Sequence, residues 1–155
     1  MAGNVNAKLK SLGITLPRAA VPAANYVPVR RTGNLLIVSG QVPIADGKPV
    51  FVGVLGAGID LEDGIAAARL CGLHVLAQAS GALGGDLDRI TACLRLGVFV
   101  AATANFTDHP KVANGASDLM VEVLGEAGRH ARAAVGTTSL PFGVAVEVDA
   151  MFEVS

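Results

Sequence analysis

Aromatic residues are scarce in this sequence, which has one tyrosine, no tryptophan and an aromatic content of 4%. Proteins that hold single-stranded nucleic acid stack its bases on aromatic rings and follow its backbone with a basic groove. This chain carries a formal net charge of −1 and has no long basic run. We therefore expect no nucleic-acid partner.

Cysteine is rarer still, with two residues, and its spacing is unlike that of a metal site or a redox motif. Cys71 and Cys93 lie in different predicted elements and form no C-x-x-C pair. The three histidines, His74, His109 and His130, fall in separate segments with no pair at i, i+4, so we expect no metal site. The pattern predicts two reduced, mostly buried thiols in a cytoplasmic protein.

Long apolar runs are also missing. No segment approaches the roughly 18 consecutive apolar residues that a membrane span needs. The first residues, MAGNVNAKLKSLGITLP, lack the apolar stretch of a secretory signal. Hydrophobic residues nevertheless make up 52% of the 155 residues and charged residues only 16%, in a chain of single-domain length. This composition predicts an oligomer, because one small domain cannot bury so much apolar surface alone.

The 19 glycines do not form a nucleotide-binding motif. The stretch GVLGAGIDL places Gly53, Gly56 and Gly58 in the order G-x-x-G-x-G, and Leu61 occupies the place of a third glycine. No lysine follows in a P-loop position, and Ser39 in VSGQ is not in the G-x-S-x-G context of a nucleophile elbow. We interpret these glycines as turn residues and Ser39 as a hydrogen-bonding residue at the end of a strand.

Hydrophobic periodicity predicts strands near both ends of the chain and two helices. The stretch AKLKSLGITLP indicates a turn of helix that ends at Gly13, after which Pro17 and Pro22 hold the chain extended. The segment YVPVRRTGNLLIVSGQVPI predicts a β-hairpin with its turn at TGN, and VFVGVLG a brief further strand. The predicted order is β-β-(β)-α-β-α-β-β.

The two helices have recognisable ends and core-facing stripes. Asp60 and Asp63 start the first helix, and the Gly84–Gly85 pair ends it. Pro110 lies near the first turn of the second helix. The residues expected to face the core are Leu61, Ile65, Ala68, Gly72, Leu76, Ala79 and Leu83 in the first helix, and Val112, Ala116, Leu119 and Val123 in the second.

Two strands show alternating apolar residues. In RITACLRLGVFVAA the residues expected on one face are Ile90, Ala92, Leu94, Leu96, Val98 and Val100. In the closing strand that face holds Val144, Val146, Val148, Ala150, Phe152 and Val154, and the other face holds Ala145, Glu147, Asp149, Met151 and Glu153. Two helices can cover only one face of such a sheet, so we expect the other face to pack against further subunits.

One arginine lies in a segment that otherwise predicts a buried strand. Arg132 has small neighbours in GRHARAAVG, and Glu147 is expected to face it from the next strand. A cross-strand ion pair is one explanation, although such a pair is worth little on a surface. The other is a ligand site, because an arginine fork suits bidentate binding of a carboxylate and a glutamate suits holding or activating water. We favour the ligand site.

Three segments resemble the RidA/YjgF family, whose members are described as imine deaminases or as L-PSP-type endoribonucleases. They are NYVPVRRTGNLLIVSGQVP, HPKVANGASDLMVEVLGEAGRHARAAVG and SLPFGVAVEVDA. The resemblance implies a single domain over residues 1–155, with residues 1–20 as an N-terminal extension. It also implies an α+β fold of the bacillus-type chorismate-mutase-like kind: one mixed β-sheet of about six strands with two helices packed on one face. Members of the family form homotrimers with a pocket at each subunit interface.

The resemblance assigns roles to individual residues. Arg132 matches the carboxylate-binding arginine and Glu147 the water-positioning glutamate, both expected from one chain. The implied substrate-binding residues are Tyr26, Ser39, Gly40, Asn114 and Ala134. Ala134 stands where many members have a cysteine, so its side chain cannot be a nucleophile. This difference, together with H-x-R in place of P-x-R, marks a divergent branch.

The activity that the resemblance implies is hydrolysis of a 2-imino or enamino acid to a 2-keto acid and ammonia. Arg132 would bind the substrate carboxylate, and Glu147, helped by a backbone carbonyl near Ala134, would take a proton from water. No metal or organic cofactor is expected, because a protonated imine is already electrophilic. One alternative is a trimeric protein that binds a small carboxylate-bearing metabolite without turnover. The other, less favoured, is an endoribonuclease or translation inhibitor.

Overall fold

The computed structural model describes residues 4–21 and 24–155, so Pro22 lies outside the described residues. The elements are α1 (Asn4–Ser11), β1 (Val29–Thr32), β2 (Leu35–Gln41), β3 (Ile44–Ala45), β4 (Lys48–Pro49), β5 (Val54–Leu55), β6 (Gly58–Ile59), α2 (Leu61–Ala82), β7 (Ile90–Ala101), α3 (His109–Leu124), β8 (Ala131–Thr137) and β9 (Val146–Val154). Short 3₁₀ turns occupy residues 87–89, 125–128 and 141–143. The predicted helical turn before Gly13 is confirmed as α1.

The main sheet is mixed, as expected, and its strand order is β1-β2-β9-β7-β8. The predicted hairpin is confirmed as the antiparallel pair β1–β2. The sheet has five strands where about six were predicted. The difference lies in VFVGVLG, whose strand β5 pairs with β6 in a separate small ribbon, as β3 does with β4.

The strand order contradicts the prediction that the strands of Arg132 and Glu147 are neighbours. The chain passes from β7 through α3 to β8, and β8 lies parallel to β7. The chain then returns, and β9 inserts between β2 and β7, antiparallel to both. β7 therefore separates β8 from β9, which decides where Arg132 and Glu147 lie.

Helices α2 and α3 cover one face of the sheet and bury the core against it. Asp60 caps α2 as predicted, since its side chain accepts a hydrogen bond from the Asp63 backbone N–H at 2.8 Å. The predicted stripe of α3 is fully buried, whereas the first two members of the α2 stripe, Leu61 and Ile65, are half-buried. None of the helices among residues 4–21 and 24–155 is long and apolar enough to cross a membrane.

The alternation predicted for β7 holds at its end but fails in its middle. Leu96, Val98 and Val100 are buried as expected, but Leu94 is 42% exposed, and Cys93 is buried. The register against β9 shifts twice, between residues 90 and 92 and between residues 93 and 95. An irregularity of this kind adds a residue to one strand and reverses the faces beyond it.

The first turn of α1 is attached to a distant part of the chain. The backbone N–H groups of Asn4 and Val5 donate to the two carboxylate oxygens of Asp88, at 2.9 and 2.8 Å. An acidic side chain stabilises the N-terminus of a helix, where the N–H groups have no partner within the helix. Together with the buried Leu9, this contact fixes the start of the described chain against the domain.

Candidate functional site

Arg132 projects from the edge strand β8 toward α3. Its Nη1 donates hydrogen bonds to Asn114 Oδ1 and Ser117 Oγ, both at 2.9 Å, and its Nη2 donates to the Pro110 carbonyl oxygen at 3.3 Å. Of the five N–H donors of a guanidinium, these bonds use three. Among the described residues no carboxylate forms an ion pair with Arg132. An exposed guanidinium held by neutral oxygens, with two donors left, has the pattern that binds a carboxylate in a bidentate fashion.

One further side chain, His130, supports this arginine through Ser117. His130 Nδ1 lies 2.6 Å from the Gly128 carbonyl oxygen, and its Nε2 lies 2.9 Å from Ser117 Oγ. A carbonyl oxygen only accepts, so Nδ1 carries the hydrogen, and Nε2 of the neutral ring accepts from the Ser117 hydroxyl. Because the Ser117 hydroxyl donates its hydrogen to His130, the Ser117 oxygen accepts the hydrogen bond from Nη1 of Arg132.

The sequence prediction placed Asn114 at the site and missed Ser117. The two residues lie three positions apart on α3, which places them on the same side of the helix. That spacing was the available signal. Ala134, the other predicted site residue on this strand, lies opposite Val98, half-buried, and packs against the core.

Glu147 lies on β9, and its carboxylate packs against the backbone of Gly40 on β2. A side chain at position 40 would collide with Oε1 of Glu147. Partial burial of the carboxyl group raises the pKa of Glu147, and the nearby negative charge of Asp149 raises it further. A carboxylate in this state is a better proton acceptor than an exposed glutamate.

The structure contradicts the prediction that Glu147 faces Arg132 within one chain. Arg132 is opposite Leu96 of β7, and Leu96 is in turn opposite the buried Ala150 of β9, on the side covered by the helices. Glu147 is opposite Phe99, and three positions separate it from Ala150. Because side chains alternate along a strand, Arg132 and Glu147 point to opposite faces of the sheet.

Three other predicted site residues meet at one cavity. Tyr26, Ser39 and Gly40 line a cavity of about 880 Å³ beside α2 and the N-terminal segment 15–21. The Ser39 hydroxyl is buried and has no hydrogen-bond partner within the described ranges. Glu147 is not among the residues that line this cavity, but its carboxylate contacts Gly40, which is. The structure thus groups the predicted residues in two places: Arg132 with Asn114, and Glu147 with the cavity.

Two buried polar side chains of α2 fasten the walls of the cavity. His74 Nε2 lies 2.9 Å from the Ile44 carbonyl oxygen, which follows the end of β2. Gln78 Nε2 donates to the Ala20 carbonyl oxygen at 2.8 Å and holds the N-terminal segment. Both side chains are buried. The sequence gave no indication of this role for Gln78, because its partner lies 58 residues away.

The cysteines do not contribute a nucleophile. Cys71 and Cys93 are free and buried, as predicted. Burial raises the pKa of Cys93 to about 12 and that of Cys71 well above its ordinary value. Both thiols therefore remain protonated and unreactive near neutral pH.

Comparison with known proteins decides the family. The family model described as "YjgF/chorismate_mutase-like, putative endoribonuclease" matches residues 6–153. The chain belongs to the YjgF family. The chorismate-mutase-like fold predicted for it is confirmed.

Relatives of this YjgF protein come from distant organisms. Protein TCP17 of Trypanosoma cruzi is 52% identical over 155 residues, which cover 99% of this chain and 96% of that protein. The crystal structure of Atu1372 from Agrobacterium tumefaciens is 48% identical, with a TM-score of 0.92 over 98% of this chain and 93% of that one. TdcF of E. coli, crystallised with bound serine, shares the fold at 24% identity, with a TM-score of 0.62 over 89% and 94% of the two chains. The lower identity to TdcF agrees with a divergent branch of the family.

Proposed function

We propose that this YjgF-family protein hydrolyses 2-imino or enamino acids to 2-keto acids and ammonia. The observation that supports this most strongly is the state of Arg132. Its guanidinium is oriented by three neutral oxygens, has no counter-ion among the described residues and keeps two N–H donors for a ligand. A substrate carboxylate would complete these hydrogen bonds and fix the position of the neighbouring imine carbon.

The proposed reaction needs a water molecule and a base. The oxygen of water attacks the carbon of the protonated imine while Glu147 accepts a proton, and a carbinolamine forms. The nitrogen then takes this proton back from Glu147, and the C–N bond breaks so that ammonia leaves. At the same time the carbinolamine hydroxyl gives its proton to Glu147 and becomes the ketone oxygen of the 2-keto acid. Glu147 passes that proton to the departing ammonia, which leaves as ammonium. The raised pKa of Glu147 suits it to accept and to return protons.

The opposite placement of Arg132 and Glu147 leads us to propose that each pocket joins two copies of the chain. Arg132 of one copy would bind the carboxylate, and Glu147 of a neighbouring copy would hold the water. A homotrimer, as the resemblance implies, repeats this contact three times in a closed ring. The face of the sheet away from the helices supports such a contact, because it carries exposed apolar side chains such as Val135, 49% exposed.

A second candidate is binding of a small carboxylate-bearing metabolite without turnover. The observation in its favour is the buried Ser39 hydroxyl, which lacks a partner in the described residues and lies on the wall of a large cavity. Such a group is suited to hydrogen-bond a ligand whether or not a reaction follows. TdcF, which shares the fold, was crystallised with the amino acid serine.

An imine-trapping assay separates these candidates. An amino-acid oxidase generates the imine of alanine, and semicarbazide competes with water for it. We expect the wild-type protein to divert the imine to pyruvate and ammonia, and Arg132→Ala to lose this effect. Arg132-dependent binding of pyruvate in calorimetry, without turnover, would support the binding protein instead. Absence of both would contradict the two proposals.

A further inference from the structure

We propose that the cavity between α2 and residues 15–21 is a side-chain subsite, and that the preferred substrates are imino acids with a bulky apolar side chain. This inference rests on the proposed deaminase function and adds a substrate class to it. It also assigns a role to the N-terminal extension as a wall of the binding site.

The cavity is large for the smallest imino acids. Its volume of about 880 Å³ lies toward the upper end of the range of small-molecule pockets. The imine of alanine would leave most of this space to water. A benzyl or isobutyl side chain would displace water from apolar walls, and its burial would add to binding.

Much of the lining is apolar. The N-terminal segment contributes Pro17 and Ala19, and α2 contributes Leu70 and Leu73. The charged side chains on the wall, Arg18 and Asp46, are exposed and have opposite signs. They therefore place little net charge on the cavity, and that charge lies at its opening.

Two buried polar side chains of the lining, His74 and Gln78, are already engaged in hydrogen bonds. Each of the two is 4% exposed, and its Nε2 atom is hydrogen-bonded to a backbone carbonyl oxygen of a cavity wall. These hydrogen bonds fix two walls to α2 and so set the width of the cavity. Recognition of the substrate side chain is left mainly to apolar contact.

Gly40 connects the cavity with the proposed base. Ser39 and Gly40 belong to the cavity wall, and the Glu147 carboxylate lies directly against Gly40. In the proposed arrangement the imine carbon lies near Glu147, and the substrate side chain extends past Gly40 toward α2. This direction is independent of which copy supplies the arginine.

The test compares imines generated in situ from alanine and from phenylalanine. We expect kcat/KM for the phenylalanine imine to exceed that for the alanine imine by about tenfold or more, the scale of discrimination by an apolar pocket. Leu73→Trp fills the cavity, so it should remove this preference by lowering kcat/KM for the phenylalanine imine to about the value for the alanine imine. Ala66→Trp, at an exposed position of α2 outside the cavity, is the matched control and should retain the preference.

The outcomes separate this inference from the proposed function. Equal rates on the two imines would overturn the subsite and leave the deaminase in place. The same conclusion follows if Leu73→Trp lowers both rates together or changes neither. If no imine is hydrolysed, the deaminase proposal fails, and calorimetry then tests the subsite by itself. Tighter binding of phenylpyruvate than of pyruvate, lost in Leu73→Trp, would support it, and equal binding would overturn it.

Discussion

Arg132 and Glu147 lie on opposite faces of one β-sheet, in strands separated by β7. A small ligand cannot touch both from one side of that sheet. If both residues act on the same substrate, they must come from different copies of the chain. Experiments that mix two inactive variants can therefore test whether the two residues act in one pocket between copies.

Two inactive variants should restore each other when their chains are mixed. A pocket that takes Arg132 from a Glu147→Gln chain and Glu147 from an Arg132→Ala chain contains both functional residues. Random assembly of equal amounts should give about a quarter of the wild-type activity, because one of the four pairings is intact. The measurement is imine hydrolysis after the two variants are unfolded and refolded together.

The control is a mixture of the two variants that were refolded separately. It should show no more activity than the sum of its parts until subunits exchange. If the co-refolded sample also shows only that sum, the two residues do not share a pocket between copies.

Replacement of Arg132 by lysine should be nearly as damaging as replacement by alanine. An ammonium keeps the charge but cannot bond to Asn114, Ser117 and a bidentate carboxylate at once. We expect kcat/KM to fall by about 30- to 1,000-fold, which corresponds to about 2–4 kcal/mol of transition-state binding. Steady-state kinetics measures this, and the melting temperature should change little because the side chain is exposed.

Arg129→Lys is the matched control for that substitution. Arg129 lies three residues before Arg132 and is exposed. It forms an ion pair with Glu126 at 3.0 Å. It should tolerate the change without loss of activity. Full activity in Arg132→Lys, or unfolding of both Arg132 variants, would show that Arg132 does not bind the carboxylate.

The pH profile should shift in a defined direction when Asp149 is neutralised. The negative charge of Asp149 raises the pKa of Glu147. Glu147 must be ionised to act as a base, so activity is lost as pH falls through that pKa. Asp149→Asn lowers the pKa, so the acid limb of kcat/KM should move to lower pH. Release of Arg95 from its 3.4 Å ion pair with Asp149 acts in the same direction.

The control for the pH experiment is Glu153→Gln, which removes a carboxylate from the same face of β9. Glu153 is exposed and is not among the causes of the Glu147 shift. Its profile should follow the wild type. An unmoved limb in Asp149→Asn, or an equal displacement in both variants, would argue against Glu147 as the base.

Gly40→Ala should impair catalysis by displacing the carboxylate of Glu147. The added methyl group would occupy the position of Oε1, so the side chain must turn away. A displacement of this kind can cost about 10²-fold in rate. Gly81→Ala is a suitable comparison, because it has open space around it within α2 and should stabilise the protein by about 0.5–1 kcal/mol. Undiminished activity in Gly40→Ala would mean that this contact does not position Glu147.

Local patterns predicted the elements of this protein well. The alternation from Val146 to Val154 gave the correct buried face of β9, and Asp60 gave the start of α2. Such signals are local, because each depends on residues within one or two turns or strands. The shifts in β7 escaped prediction, since nothing in the residues near Leu94 distinguishes a regular strand from an irregular one.

The arrangement of the site was harder to predict than its residues. Alternation assigns each residue to a face of its own strand but does not give the order of strands in the sheet. Arg132 and Glu147 were therefore correctly assigned to strands and incorrectly placed beside each other. The hydrogen bond from Arg132 to Ser117 was indicated only by the helical spacing of Ser117 from Asn114. The hydrogen bond from Gln78 to Ala20 could not be predicted, because it depends on a fold that brings distant segments together.

The hydrogen bonds that hold the N-terminal segment are long-range, and this has a consequence for the order of folding. Residues 15–21 leave the ribosome early, but Gln78, which holds them through Ala20, is made 58 residues later. The first turn of α1 likewise waits for Asp88. Closing such long loops costs conformational entropy, and only hydrogen bonds to an already folded partner offset that cost. We therefore expect residues 15–21 to become ordered after α2 has packed on the sheet. A newly made chain would therefore pack α2 on its sheet before the N-terminal wall of the cavity is in place.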